Sequence, residues 1–175
     1  MEQHERLRDN ALCYCLAAHD LYQLDLEQRS DARIAPSALC LSFAIEFFLK
    51  SELLQNGCSA KEVKNDFGHD LIKMWSEPSL ERIREQAGLW AKHLCQDLGD
   101  VRNPTQLSAP DRFKKELAEI GKLHSGATDM ALRYPTQKTI VPRIDLLIAV
   151  FDALIRASKS SSSIVECDAC TPTHS

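Results

Sequence analysis

No stretch of this sequence alternates apolar and polar residues with the two-residue period of a half-buried strand, so a sheet-based fold is not expected. Also missing are a glycine-rich phosphate loop, a nucleophile elbow and an HExxH pair, and no serine or cysteine sits in a recognisable catalytic signature. There is no internal repeat, no coiled-coil heptad series and no linker-like stretch, which argues for one domain. An excess of positive charge is lacking too: the net charge of −4 argues against a surface generally coated by nucleic acid. The first ten residues, MEQHERLRDN, are charged and have no apolar core, so no export signal is visible and a cytoplasmic protein is expected. The seven cysteines are odd in number and fall mostly within helical apolar patterns (Cys13, Cys15, Cys40, Cys95), which reads as buried thiols in a reducing compartment. In the tail, Cys167-x-x-Cys170 with His174 has half of a zinc spacing. No second pair matches it, so no metal site is assigned there or elsewhere, and no cofactor is expected.

What is present is helix. The run Ser37 to Leu54, SALCLSFAIEFFLKSELL, is apolar at every helical phase and is expected to be buried on most sides. Pro36 lies just before it with Ser37 as a candidate N-cap, and Asn56-Gly57 closes it. It nearly reaches bilayer-spanning length, but Glu46, Lys50 and Glu52 mark it as a core helix and no membrane association is expected. Ser42, Glu46 and Lys50 form one polar stripe at i, i+4, i+8. A carboxylate in such surroundings requires a partner or a proton. Other helices are expected over Glu5 to Asp25, over a short run from Leu71 behind His69 and Asp70, over Ser79 to Leu98, over Asp111 to His124 with Asp111 as cap, and from Pro142 to the serine-rich tail. The bundle therefore covers residues 1–158, with 159–175 as a flexible tail.

Charge is uneven. Val101 to Arg143 carries eight basic and four acidic residues, a local balance of +4 against −8 for the rest. A solvated helix face explains this, and so does an anion-binding patch, for which Arg102, Lys122 and Lys138 are the candidate cations.

The order of motifs then becomes informative: Ala44-Ile45-Glu46-x-x-x-Lys50, Gly57, Gly68-His69-Asp70-Leu71 and, far downstream, Leu132-Arg133-Tyr134-Pro135. Together they resemble the HEPN domain class, in the branch with a Glu-x-x-x-Lys central helix, a His-Asp-Leu and a late Arg-Tyr-Pro. The resemblance implies an all-α, single-domain antiparallel helical bundle, often a homodimer. It also implies association with RNA or nucleotides in bacterial toxin–antitoxin, phage-defence or stress modules, and a partner protein such as a nucleotidyltransferase. Ribonuclease members use an arginine followed after four to six residues by a histidine, a cation for phosphate and an imidazole for proton transfer. Here Arg102-Asn103 matches the start, but the histidine window holds Leu107, Ser108 and Ala109, so ordinary catalysis of that kind is not expected. The alternative is a non-catalytic interaction or dimerisation module that binds a partner protein. In either case Glu46, Lys50, His69, Asp70, Arg133 and Tyr134 are expected to converge on one polar pocket, with Arg133 or His69 as the second donor to Glu46. The plainer alternatives stand beside this: a structural ion pair for Glu46 and Lys50, a helix cap for His69 and Asp70, and a loop pin for Arg133 and Tyr134.

Overall fold

A computed structural model describes residues 2–28, 34–97, 107–125, 132, 142 and 144–165; for residues 96, 97 and 161–165 only the backbone is described. Among the described residues the chain is an all-α bundle without strands. Helices α1 (Gln3–Gln28) and α2 (Ile34–Gln55) come first. The short α3 (Ala60–Glu62) follows and runs into a π-helical turn, Val63–Phe67. Next are α4 (Leu71–Trp75), a 3₁₀ turn over Pro78–Leu80, and α5 (Glu81–Asp97). Two further helices follow, α6 (Ala109–His124) and α7 (Ile144–Val165).

The helix α2 occupies the centre, as its all-round apolarity predicts. It packs along α1 and touches α4, α6 and α7. By length and composition it could cross a membrane, yet more than half of its most apolar window is buried inside the fold. Its start lies earlier than expected. Pro36 sits in the first turn, where the proline's missing N–H removes no intrahelical bond. Ser37 is therefore not the cap; its buried hydroxyl donates to the Ala18 carbonyl at 2.6 Å. Ser51 Oγ donates to the His4 carbonyl at 2.9 Å, so α1 and α2 run in opposite directions. At the other end Gly57, at φ +96°, closes α2 in a Schellman motif: Cys58 N–H reaches Leu53 O and Gly57 N–H reaches Leu54 O. Ser59 and Glu62 then form a reciprocal capping box.

The core is aromatic at its centre. Phe151 of α7 meets Phe48 of α2, Trp75 of α4 and Phe113 of α6 at ring-centroid distances of 5.9–6.2 Å. Three other expectations shift. The cap of α6 is Ser108, whose Oγ accepts from Asp111 N–H, and not Asp111. The helical spacing of Leu80, Ile83, Ala87, Trp90 and Ala91 puts all five on one face, yet Trp90 is more than one-third exposed while the other four are buried. The final helix continues past Ser158 to Val165.

At Ser158, α7 is tied to α1 and α2 by a polar clamp built on the buried Arg8 and Glu52. Arg8 Nη2 donates to Glu52 Oε1 at 3.3 Å, Ser158 Oγ donates to the same oxygen at 2.6 Å, and Arg8 Nη1 donates to the Ser158 carbonyl. Arg8 and Glu52 are both buried, so removing one partner leaves the other charge without its counter-ion. Arg8→Met should therefore destabilise the fold by about 3 kcal/mol or more, as for a broken buried pair, measured by urea melts. The double change Arg8→Met with Glu52→Leu should recover much of that loss.

Candidate functional site

The site is organised by one carboxylate. Glu46 lies in the middle of α2 with its side chain 4 % exposed. Lys50, one turn on, donates its Nζ to Oε1 at 2.7 Å. Its own side chain is 17 % exposed, a stem along the helix with its charged end at the boundary. His69 Nδ1 stands 3.0 Å from both carboxylate oxygens. His124 Nε2, from the last turn of α6, reaches Oε2 at 2.7 Å.

Local structure explains how His69 gets there. Gly68 has φ +55° and ψ −111°, a conformation that side chains with a Cβ rarely adopt. It turns the chain sharply out of the π-helical segment. His69 falls toward Glu46, and Asp70 falls at the start of α4, where its Oδ1 accepts from Ile72 N–H at 3.1 Å and Lys73 N–H at 2.9 Å. Asp70 is thus an N-cap and takes no part in the hydrogen bonds to Glu46. The two imidazoles pack edge-on at 6.2 Å, and Phe43 meets the His124 ring edge-on at 5.3 Å.

The residues differ in access. The His124 side chain is 2 % exposed and that of His69 59 %, so the cluster runs from the core to the surface. On its open side lies a cavity of about 470 Å³ lined by Leu7, Lys50, Leu54, Val63, Lys64 and His69. Tyr14, Phe43 and Phe47 form an aromatic group on α1 and α2, with centroids 5.5–6.4 Å apart.

Burial alone would push the Glu46 carboxyl up. The hydrogen bonds from His124, Lys50 and His69, with the Lys50 charge, outweigh it and hold the group down at about 2. Glu46 is therefore ionised at neutral pH. An ionised carboxylate only accepts, so His69 Nδ1 and His124 Nε2 carry hydrogens in this arrangement. Chemically, it is a fixed acceptor holding one buried and one accessible imidazole, a framework for proton transfer or for cation binding.

Of the residues singled out in the sequence, Glu46, Lys50 and His69 are brought together; Asp70 adjoins them as a cap. Arg133, Tyr134, Arg102 and Lys138 lie outside the described residues. Lys122 is exposed on α6 and donates to Glu119 at 2.8 Å, away from the hydrogen bonds to Glu46. The residue that sequence reasoning passed over is His124. Its signal was present: Phe113, Leu117, Ile120 and His124 recur at i, i+4, i+7, i+11, which puts the histidine on the buried stripe of α6. Among the described cysteines, none is a hydrogen-bond partner of Glu46, His69 or His124. Burial first, then the nearby Asp152, push the Cys15 thiol up to about 12, so it is not a thiolate at neutral pH. Cys13, expected to be buried, is exposed.

Compared with family models, with curated proteins and with solved structures, the chain shows no match.

The depressed Glu46 carboxyl makes a pH prediction. Its folded value of about 2 lies below the ordinary 4.5, so its contribution is complete above pH 4.5 and is lost as pH falls toward 2. The span corresponds to about 3 kcal/mol. In chelator-treated protein, the stability difference between wild type and Glu46→Gln should shrink by that order between pH 5 and pH 2, in urea melts at each pH. A difference that stays constant with pH would contradict an ionised, multiply bonded Glu46.

Proposed function

We propose that this chain is a HEPN-like, single-domain antiparallel bundle that binds RNA or nucleotides in a cytoplasmic bacterial defence, toxin–antitoxin or stress module. The observation that supports it most is the meeting of two separate motifs on one atom group. The Glu-x-x-x-Lys of α2 and the His-Asp-Leu before α4 come together through Glu46, Lys50 and His69. Lys50, Lys64 and His69 line the adjoining cavity, a concave place where Lys64 and His69 offer a cation and an imidazole to a phosphate, with Lys50 at its edge paired to Glu46. The aromatic group of Tyr14, Phe43 and Phe47, of which Tyr14 is more than one-third exposed, offers a ring for base stacking. The ordinary Arg-x₄₋₆-His ribonuclease spacing is missing, so the proposed role is binding, and any cleavage would use different residues from the usual ones.

The alternative reading, a non-catalytic module that dimerises or binds a partner protein such as a nucleotidyltransferase, has its own support. A groove of about 680 Å³ between α1, α5 and α7 is lined by the exposed Leu16 and Trp90. Exposed large apolar side chains gathered at a groove are a feature of protein interfaces.

The two readings separate on purification of the full chain from its native host. The first predicts co-purified RNA or nucleotide, and RNA binding that weakens with salt. Lys64→Gln should lower the slope of log K against log salt by about 0.7, one lost phosphate contact on a single strand. Recovery of a protein partner with no nucleic acid or nucleotide, and no RNA binding at low salt, would favour the alternative. Rapid RNA cleavage in chelator that is abolished by Arg102→Ala would contradict the reading of the missing histidine.

A further inference from the structure

We propose that Glu46, His69 and His124 form a binding site for a divalent first-row transition metal of the zinc class, with Glu46 Oε2, His69 Nδ1 and His124 Nε2 as its ligand atoms. The three residues come from α2, the turn before α4 and the end of α6, and their ligand atoms all lie within 4.8 Å of one another. Oε2 is 2.7 Å from His124 Nε2 and 3.0 Å from His69 Nδ1. Ligands about 2.0–2.1 Å from a tetrahedral ion stand about 3.3 Å apart, so the two contacts to Oε2 open slightly on binding, while the two imidazole nitrogens already stand within 4.8 Å of each other.

An ion pair alone does not account for the composition of this cluster. Lys50 already neutralises Glu46 at 2.7 Å. His124 supplies the buried donor that Glu46 still needs, and His69 then brings a second imidazole to the same carboxylate oxygen. An exposed partner such as His69 contributes little to stability. Both imidazoles do have a clear use as neutral nitrogen ligands. Two imidazoles and one carboxylate suit zinc, cobalt or nickel; magnesium and calcium prefer all-oxygen sets. The donor set is also that of open rather than closed sites. With three protein ligands and His69 at the surface, a further position faces solvent and the cavity of Lys50 and Lys64.

Binding exchanges protons for metal. In the metal-free form the two ring nitrogens facing Glu46 carry hydrogens; on coordination each gives its nitrogen lone pair to the ion, and the ring proton sits on the opposite nitrogen or is released. Affinity must therefore fall as pH falls. The inference does not rest on RNA or nucleotide binding, because the metal is read with no nucleic acid present.

The test uses the full chain carrying Cys167→Ser and Cys170→Ser, which removes the tail thiols. Cobalt(II) is titrated into it under reducing conditions and followed by visible absorption, with zinc as competitor. The expected result is one cobalt per chain, d–d bands of a nitrogen–oxygen ligand set, no thiolate charge-transfer band, and displacement by zinc. His69→Ala, a surface change whose fold is checked by circular dichroism, should weaken cobalt at least tenfold. Glu46→Gln and His124→Gln should abolish it, and calorimetry with zinc should show the same order. Absence of cobalt binding, binding unchanged in His69→Ala, or a thiolate charge-transfer band would each overturn the proposal.

Discussion

A negative charge in an apolar helix is the constraint on which this structure turns. The helix α2 is buried on nearly every side, and Glu46 sits in its middle. Leaving that carboxylate unpaired would cost several kcal/mol. A flexible i, i+4 lysine contributes only about 0.2–0.5 kcal/mol on a helix surface. The fold answers with donors from elsewhere in the chain: His69, 23 residues downstream, and His124, 78 residues downstream. Satisfying the charge thus fixes how the turn before α4 and the end of α6 meet the central helix.

The same logic operates near the C-terminal end of α2. Glu52 is buried beside Arg8 of α1 and Ser158 of α7. One helix carries two buried carboxylates, and each ties it to two other elements. Between them, Phe47, Phe48 and Leu49 form an apolar section, with Phe48 packed on Phe151. Apolar packing supplies the non-directional part of stability. The two polar clamps specify which helices meet and in what register, since a slip of one residue would leave a charge facing hydrocarbon.

The helices were legible in the sequence because periodicity is local. The central helix, the Gly57 stop and the short α4 behind Asp70 all follow from near-neighbour rules. The Glu46–Lys50 pair is also local, four residues apart. His69 was legible as a candidate, since a buried acid needs a second donor. His124 was harder: a histidine at a helix end has no chemical signature, and only its register with Phe113, Leu117 and Ile120 places it inside. Arg8–Glu52–Ser158 was not legible, because its members are separated by 44 and 106 residues and each reads alone as a surface polar residue. Where Pro36 and Ser108 shifted helix starts, the cause is that the first turn tolerates proline and that serine competes well as a cap.

The cluster has the features of a working site as well as a structural one: a fixed, ionised acceptor, a buried imidazole, an accessible imidazole and a cavity with two lysines beside it. All of this depends on Glu46 serving as the common acceptor for both rings. The most direct measurement is nitrogen-15 NMR of the histidine side chains in metal-free protein at neutral pH. The account predicts that His124 Nε2 and His69 Nδ1 both carry hydrogens, with the His124 proton protected from solvent exchange, and that both signatures change in Glu46→Gln. A His124 ring with an unprotonated Nε2, or one indifferent to Glu46→Gln, would contradict it.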